Sequence, residues 1–178
     1  MKKFVFILLV VMSFSLCAQK YKTVTIVNQT TKYLNSGGRA ILGGVSRIPI
    51  RVDLPQNTVA WYYSFTTSAG VSGTSMLNLA IQVAAFAEAG SLGGIVAENI
   101  KVPNGSNSVD VWLMPLDQKD NFMKEKSVER YDDLSDFNTK QDVKLINNLL
   151  TGSYYLGLRN PSALEGINIT IEVVALVK

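Results

Sequence analysis

A two-residue alternation of apolar and polar side chains recurs along this chain. It is longest in Ile167–Val177, where every second residue is apolar. Such a period places the apolar side chains on one face of a β-strand and does not fit the 3.6-residue period of a helix. The same pattern occurs in four other stretches, and a first strand is expected at Tyr21–Asn28. The four stretches are Arg47–Leu54, Thr58–Thr66, Ser108–Met114 and Gly152–Asn160.

Turn-forming residues separate these stretches, at 54–57, 102–105 and 160–162, each with a proline next to Asn, Gln or Ser. Six or more strands without alternating helices favour an antiparallel β-sandwich over a parallel α/β fold. We therefore predict a single all-β domain over residues 19–178. Pro49 has no N–H to donate, which predicts that its strand lies at the edge of a sheet.

One apolar segment interrupts the strand pattern. Residues 54–97 contain a single charged residue, Glu88, and Ser75–Ala87 has the alanine content and spacing of a helix. We expect a short helical insertion at about 70–100. It either packs on the sandwich or, through residues 76–100, contacts a membrane or lipid. A helix of about twelve residues reaches only about 18 Å, too short to cross a bilayer.

The N-terminal segment Met1–Ala18 has the order of a signal peptide: Lys2 and Lys3, an apolar run from Phe4 to Met12, then small residues. We predict cleavage near Ala18 and secretion to the periplasm or the extracellular space. A retained anchor and a lipoprotein acylated at Cys17 are the alternatives. Cleavage would remove the only cysteine, which leaves no disulfide or thiol chemistry.

The residue inventory argues against several function classes. The chain has no histidine, so histidine-dependent nucleophile systems and histidine metal ligands are excluded. Cleavage would also take two of its 17 basic residues and none of its 14 acidic ones. The nearly balanced charge that remains does not indicate nucleic-acid binding. No cofactor is expected.

Period-two alternation also predicts which side chains face outward. If Trp61, Tyr63 and Val111 face the core, then Tyr62, Trp112 and Tyr155 point away from it, with Arg159 nearby. Flat aromatic side chains beside arginine suit a sugar, a peptide or another subunit, so these four residues are the candidate ligand site. Alternatively, the insertion covers this face and buries the rings.

The acidic segment 131–138 offers oxygen ligands of the kind that calcium binds. Asp132, Asp133 and Asp136 are the first candidates if a metal binds, but the segment lacks the order of an EF-hand, and a solvated loop is the simpler interpretation. Pairs of carboxylates for glycoside hydrolysis also lack a recognisable motif. A carboxylate-dependent hydrolase therefore ranks only second among the alternative functions.

Residues 54–67 and 151–175 together resemble Golgi-dynamics (GOLD) domains and similar extracellular sandwiches. The resemblance is carried by Leu54, Pro55, Trp61 and Phe65, then by Gly152, Tyr154, Leu156 and Asn160, with Ile167–Val177 as a long closing strand. It implies a jelly-roll or GOLD-like sandwich that binds protein or lipid without catalysis. We expect a secreted, non-catalytic binding module for a protein, glycan or lipid. A protein associated with membrane or lipid is the first alternative.

Overall fold

The computed structural model describes residues 21–69, 77–88 and 97–178, and the predicted signal peptide lies outside these ranges. The described chain folds into eight strands that form two antiparallel four-stranded sheets packed face to face. The strands are β1 Lys22–Leu34, β2 Arg47–Asp53, β3 Thr58–Ala69, β4 Val109–Pro115, β5 Asp136–Thr139, β6 Gln141–Ile146, β7 Ser153–Arg159 and β8 Ile167–Val177. The predicted all-β sandwich is thus confirmed.

The strand order identifies the topology. Sheet I has the order β1-β8-β3-β6 and sheet II the order β2-β7-β4-β5. This is the order of an eight-stranded jelly roll, in which two Greek keys are wrapped into a sandwich. The strand that contains Pro49 is β2, and it lies at the edge of sheet II as predicted.

The core between the sheets follows the period-two pattern closely. Trp61, Tyr63 and Phe65 of β3 point into it, as do Val109, Val111 and Leu113 of β4 and the alternate apolar residues of β8. Val59 is an exception, because a register irregularity between Thr58 and Ala60 turns its side chain to the outer face of sheet I. The alternation of apolar and polar residues in the sequence does not reveal such local irregularities in strand pairing.

Within the described ranges, three short α-helices accompany the sheets: α1 Gly37–Ala40, α2 Leu79–Glu88 and α3 Lys119–Met123. Helix α2 corresponds to the predicted Ser75–Ala87, of which residues 75 and 76 are outside the described ranges. Helix α3 directly follows a 3₁₀ turn, Leu116–Gln118. None of the described helices has the length and hydropathy needed to span a membrane.

Helix α2 packs on the outer face of sheet I. Its residues Leu79, Val83 and Ala87, spaced four apart, are buried against Tyr62, Val174 and Leu176. The buried carboxylate of Glu172 on β8 accepts hydrogen bonds from the backbone N–H groups of Leu79 (2.9 Å) and Ala80 (3.1 Å). The described part of the insertion is therefore joined to the sandwich by apolar contacts and by a carboxylate at the helix N-terminus.

Candidate functional site

The four predicted ligand residues do not share one face. Trp112, Tyr155 and Arg159 lie on the outer face of sheet II, on strands β4 and β7. Tyr62 lies on the outer face of sheet I, where α2 buries it and raises the pKa of its hydroxyl to about 12. The expectation that Tyr62 belongs with the other three is therefore wrong. Its outward orientation follows from the period, but β3 belongs to the other sheet.

Three arginines surround Trp112. The guanidinium carbons of Arg130, Arg159 and Arg47 lie 4.5, 5.1 and 5.7 Å from the centre of its ring. Arg47 and Arg159 are brought together because they are directly paired across β2 and β7. Guanidinium groups at these distances are attracted to the negative face of an indole. We call these four side chains the arginine–tryptophan cluster.

Each arginine of the cluster has an acidic partner. Arg159 pairs with Asp110 at 2.6 Å, Arg130 with Asp132 at 2.6 Å and Arg47 with Glu125 at 3.1 Å. Asp110 is buried, whereas Asp132 and Glu125 are largely exposed, so the latter two pairs are weaker. Together with its three acidic partners, the cluster carries no net charge, so it does not present three uncompensated positive charges.

The ring of Trp112 is covered by the chain itself, whereas Tyr155 on the same face is half-buried. Phe122 of α3 packs edge-to-face on Trp112 at 5.4 Å, and it occupies the space above Gly157, where an added Cβ would come within 2.9 Å of its ring. Only 8% of Trp112 remains exposed. The covering segment on this face is the β4–β5 connection rather than the insertion that the alternative hypothesis assigned. Trp112 thus offers no open platform for a flat ligand.

The acidic segment divides into exposed and buried groups. Asp132 and Asp133 are exposed in a 3₁₀ turn, whereas Asp136 on β5 is buried. The Asp136 carboxyl group lies 2.8 Å from the Tyr63 hydroxyl and 3.0 Å from Lys144 Nζ, which is also 3.6 Å from Asp142. Over the described ranges, no three acidic, histidine or cysteine side chains come together in a way that could hold a metal ion.

The buried position of Asp136 also bears on catalysis. With 6% of the residue exposed, its carboxyl group is engaged by Tyr63 and Lys144 and has little access to a substrate. Burial, together with the neighbouring Asp142, raises the pKa of Asp136 to about 6 despite the opposing effects of Tyr63 and Lys144. Asp136 therefore joins β5 of sheet II to strands β3 and β6 of sheet I through a carboxyl group whose charge depends on pH.

Asp136 should make the stability of the protein depend on pH. Because its pKa is higher in the folded chain than in the unfolded chain, its contribution is complete below about pH 4 and is lost as the pH rises through 6. Between pH 4 and pH 7.5, the unfolding free energy of the native protein should fall by about 1–3 kcal/mol relative to that of Asp136→Asn. Urea unfolding at several pH values measures this difference.

Asp133→Asn, which removes an exposed carboxylate and retains Asp136, is the matched control, and its pH profile should run parallel to that of the native protein. Parallel pH profiles for the native protein and Asp136→Asn would contradict the assignment of Asp136 as the titrating group.

A different part of the molecule presents apolar side chains to solvent. Ile41 and Leu42, between β1 and β2, are 87% and 85% exposed, and Leu164, between β7 and β8, is 90% exposed. We call these three residues the apolar loop tip. Their loops lie at the same end of the sandwich, since Leu34 pairs with Ile167 and Arg47 with Arg159. The three large aliphatic side chains are thus exposed at one end of the domain, where apolar surface is a candidate contact site.

Backbone hydrogen bonds hold the two loops of the tip together. The Gly37 N–H donates to the Ser162 carbonyl (2.8 Å) and the Gly38 N–H to the Ala163 carbonyl (3.1 Å). The approach at Gly38 requires glycine, because a Cβ there would lie 2.8 Å from the Ala163 oxygen. The amide of Asn160 adds hydrogen bonds to the carbonyls of Asn35 and Glu165. These hydrogen bonds fix the position of the two loops relative to each other.

Sequence reasoning missed the tip. The glycines at 37–38 and 43–44 indicate only a loop. The available signal is the presence of two adjacent large aliphatic residues in a glycine-bounded loop. A loop of this kind has neither strand nor helix to bury such side chains.

Comparison with known proteins does not extend these observations. No protein-family model matches the chain, and no curated protein matches it at a significant level. The resemblance to GOLD domains stays a prediction.

Proposed function

We propose that this protein is a non-catalytic binding module that contacts its partner through the apolar loop tip. The observation that carries the proposal is the almost complete exposure of Ile41, Leu42 and Leu164 in two joined loops. Transfer of such a side chain from water to an apolar environment is worth about 1.5–3 kcal/mol. A partner that covers the tip would recover that free energy.

Coverage of both sheets by the protein's own chain supports this choice of surface. Helix α2 packs on the outer face of sheet I, and α3 with its flanking residues packs on sheet II. Tyr62 and Trp112, two of the three aromatic residues that suggested a glycan or peptide site, are thus buried against the protein's own chain, and Tyr155 is half-buried. An apolar tip favours a protein or a lipid over a sugar as the partner.

The setting in which the module works is also part of the proposal. The order of basic, apolar and small residues in Met1–Ala18 supports export and work outside the cytosol. A jelly-roll core that does not depend on disulfides suits either the periplasm or the extracellular space. We propose neither a cofactor nor a nucleic-acid partner.

Replacement of the tip side chains should remove the main adhesive surface. We expect the triple variant Ile41→Ser, Leu42→Ser, Leu164→Ser to elute markedly earlier than the native chain from a phenyl hydrophobic-interaction column. Its unfolding free energy should change little, because the replaced side chains are exposed. Retention time and urea unfolding measure the two effects.

A matched pair of single variants controls for the general loss of an exposed isoleucine. Ile41→Ser should reduce retention more than Ile81→Ser, although Ile81 on α2 is itself 70% exposed. Equal effects of the two variants, or unchanged retention of the triple variant, would count against the tip as the contact surface.

A further inference from the structure

We infer that the apolar loop tip inserts into a lipid bilayer and makes the protein a peripheral membrane binder. The inference rests on the proposed function and names the partner. It differs from the alternative drawn from the sequence, because the contacting residues are Ile41, Leu42 and Leu164 instead of segment 76–100. The described apolar side of α2 is already used against sheet I.

The size of the tip argues for a bilayer over a protein. A stable protein interface takes about 20–30 residues from each side and buries about 800 Å² per partner. The tip consists of three side chains on the ends of two loops, each 85–90% exposed. Side chains that project so far need a deep matching pocket in a rigid partner. A bilayer needs no matching shape, because its acyl chains close around whatever enters.

The charge around the tip suits lipid headgroups. Arg39 is exposed two residues before Ile41 and forms no ion pair with any residue that the structure describes. The whole β1–β2 connection, residues 35–46, contains no acidic residue. Lys140, between β5 and β6, is exposed at the same end of the sandwich. These cations can reach phosphate groups while the aliphatic side chains lie deeper.

Two acidic residues lie close to the tip. Glu125 lines one cavity with Ala40 and Gly44, and its carboxylate is already paired with Arg47 (3.1 Å). Glu165 follows Leu164, and its carboxylate accepts a hydrogen bond from the Asn107 side-chain amide (3.0 Å). This contact turns the carboxylate toward the 104–108 segment, which also belongs to this end of the sandwich. The local charge therefore remains in favour of the cations, and anionic lipids should be preferred moderately over neutral ones.

The apolar content of the tip sets the expected strength of binding. The three side chains together carry about as many carbon atoms as one myristoyl chain, which partitions into bilayers with a constant of about 10⁴ M⁻¹. The tip should accordingly bind reversibly at lipid concentrations of about 0.1 mM or above.

A fluorescent label at a defined position tests insertion. The full chain in a Cys17→Ser background carries Ile41→Cys, labelled with an environment-sensitive nitrobenzoxadiazole. On vesicles of equal parts phosphatidylcholine and phosphatidylglycerol, we expect its emission to shift to the blue and to be quenched by lipids with spin-labelled acyl chains. A position-specific label is needed because the apolar segment 4–12 could itself bring the chain to vesicles.

The matched control places the same label at Ile81→Cys, an exposed isoleucine on α2. A shift at position 41 without one at 81 supports insertion of the tip, and a several-fold weakening by Arg39→Gln on anionic vesicles supports the headgroup contact. A shift at 81 alone, or no shift at 41, overturns the inference. Should insertion fail while the triple variant still shortens column retention, the tip remains a contact surface for a protein. Failure of both experiments would also reject the proposed function.

Discussion

Replacing Asp110 by alanine should lower the free energy of unfolding by about 3–5 kcal/mol. The Asp110 carboxylate is 4% exposed. One of its oxygens accepts a hydrogen bond from Arg159 Nε (2.7 Å) and lies 2.6 Å from Arg159 Nη2 in the same ion pair. Its second oxygen accepts the backbone N–H of Asn138 at 2.8 Å. Alanine would leave the guanidinium group beside Trp112 without its counter-charge and the N–H of Asn138 without its acceptor.

The contact with Asn138 extends the effect to the edge of sheet II. Asn138 has a positive φ of 54°, and it lies where Phe137 and Asn138 of β5 stand opposite Asp110 alone on β4. Asparagine tolerates this left-handed conformation, and the Asp110 carboxylate fixes the N–H that the irregular pairing would leave unbonded. We therefore expect β5 to loosen first, which amide hydrogen exchange of residues 136–139 would detect.

Urea unfolding followed by circular dichroism measures the loss of stability. Asp110→Asn keeps one acceptor oxygen, enough for one of the two partners, and should lose less than Asp110→Ala. The control is Asp53→Ala, on the same outer face, whose ion pair with Arg51 is exposed and should contribute much less. Similar losses for Asp53→Ala and Asp110→Ala would show that the buried pair has no special role.

The strands could be predicted because their pattern is redundant. In β8, six inward positions are apolar in succession, and β2, β4 and β7 repeat the alternation over shorter lengths. Strand β5 escaped prediction for the opposite reason. Its sequence, Asp136–Thr139, is short and polar, and it is held in the sheet by contacts from elsewhere, such as that of Asp110 with Asn138.

The direction in which a side chain points could be predicted from the sequence better than the residues that surround it. Period two correctly turns Tyr62, Trp112 and Arg159 away from the core, but it does not tell which sheet a strand joins. That information resides in the jelly-roll order, where β3 and β4, consecutive in the chain, belong to different sheets. The grouping of Arg47, Arg130 and Arg159 around Trp112 likewise depends on contacts between distant segments.

The second large effect concerns Glu172, whose replacement by alanine should cost about 2–4 kcal/mol. Its two carboxylate oxygens accept the N–H groups of Leu79 and Ala80, the first residues of α2. These N–H groups have no partner within the helix, and Leu79 is fully buried, so water would not replace the carboxylate easily. The negative charge also interacts favourably with the helix dipole.

The test of Glu172 compares two glutamates that face opposite ends of one helix. Glu172→Gln keeps one acceptor oxygen and should lose roughly half as much stability as Glu172→Ala. Glu88→Ala removes an exposed carboxylate from the C-terminal end of α2, where a negative charge is unfavourable, and should be neutral or slightly stabilising. Amide exchange at Leu79 and Ala80 should accelerate in Glu172→Ala and remain slow in Glu88→Ala. Unchanged exchange in Glu172→Ala would mean that apolar packing against Tyr62 and Val174 alone holds the helix on sheet I.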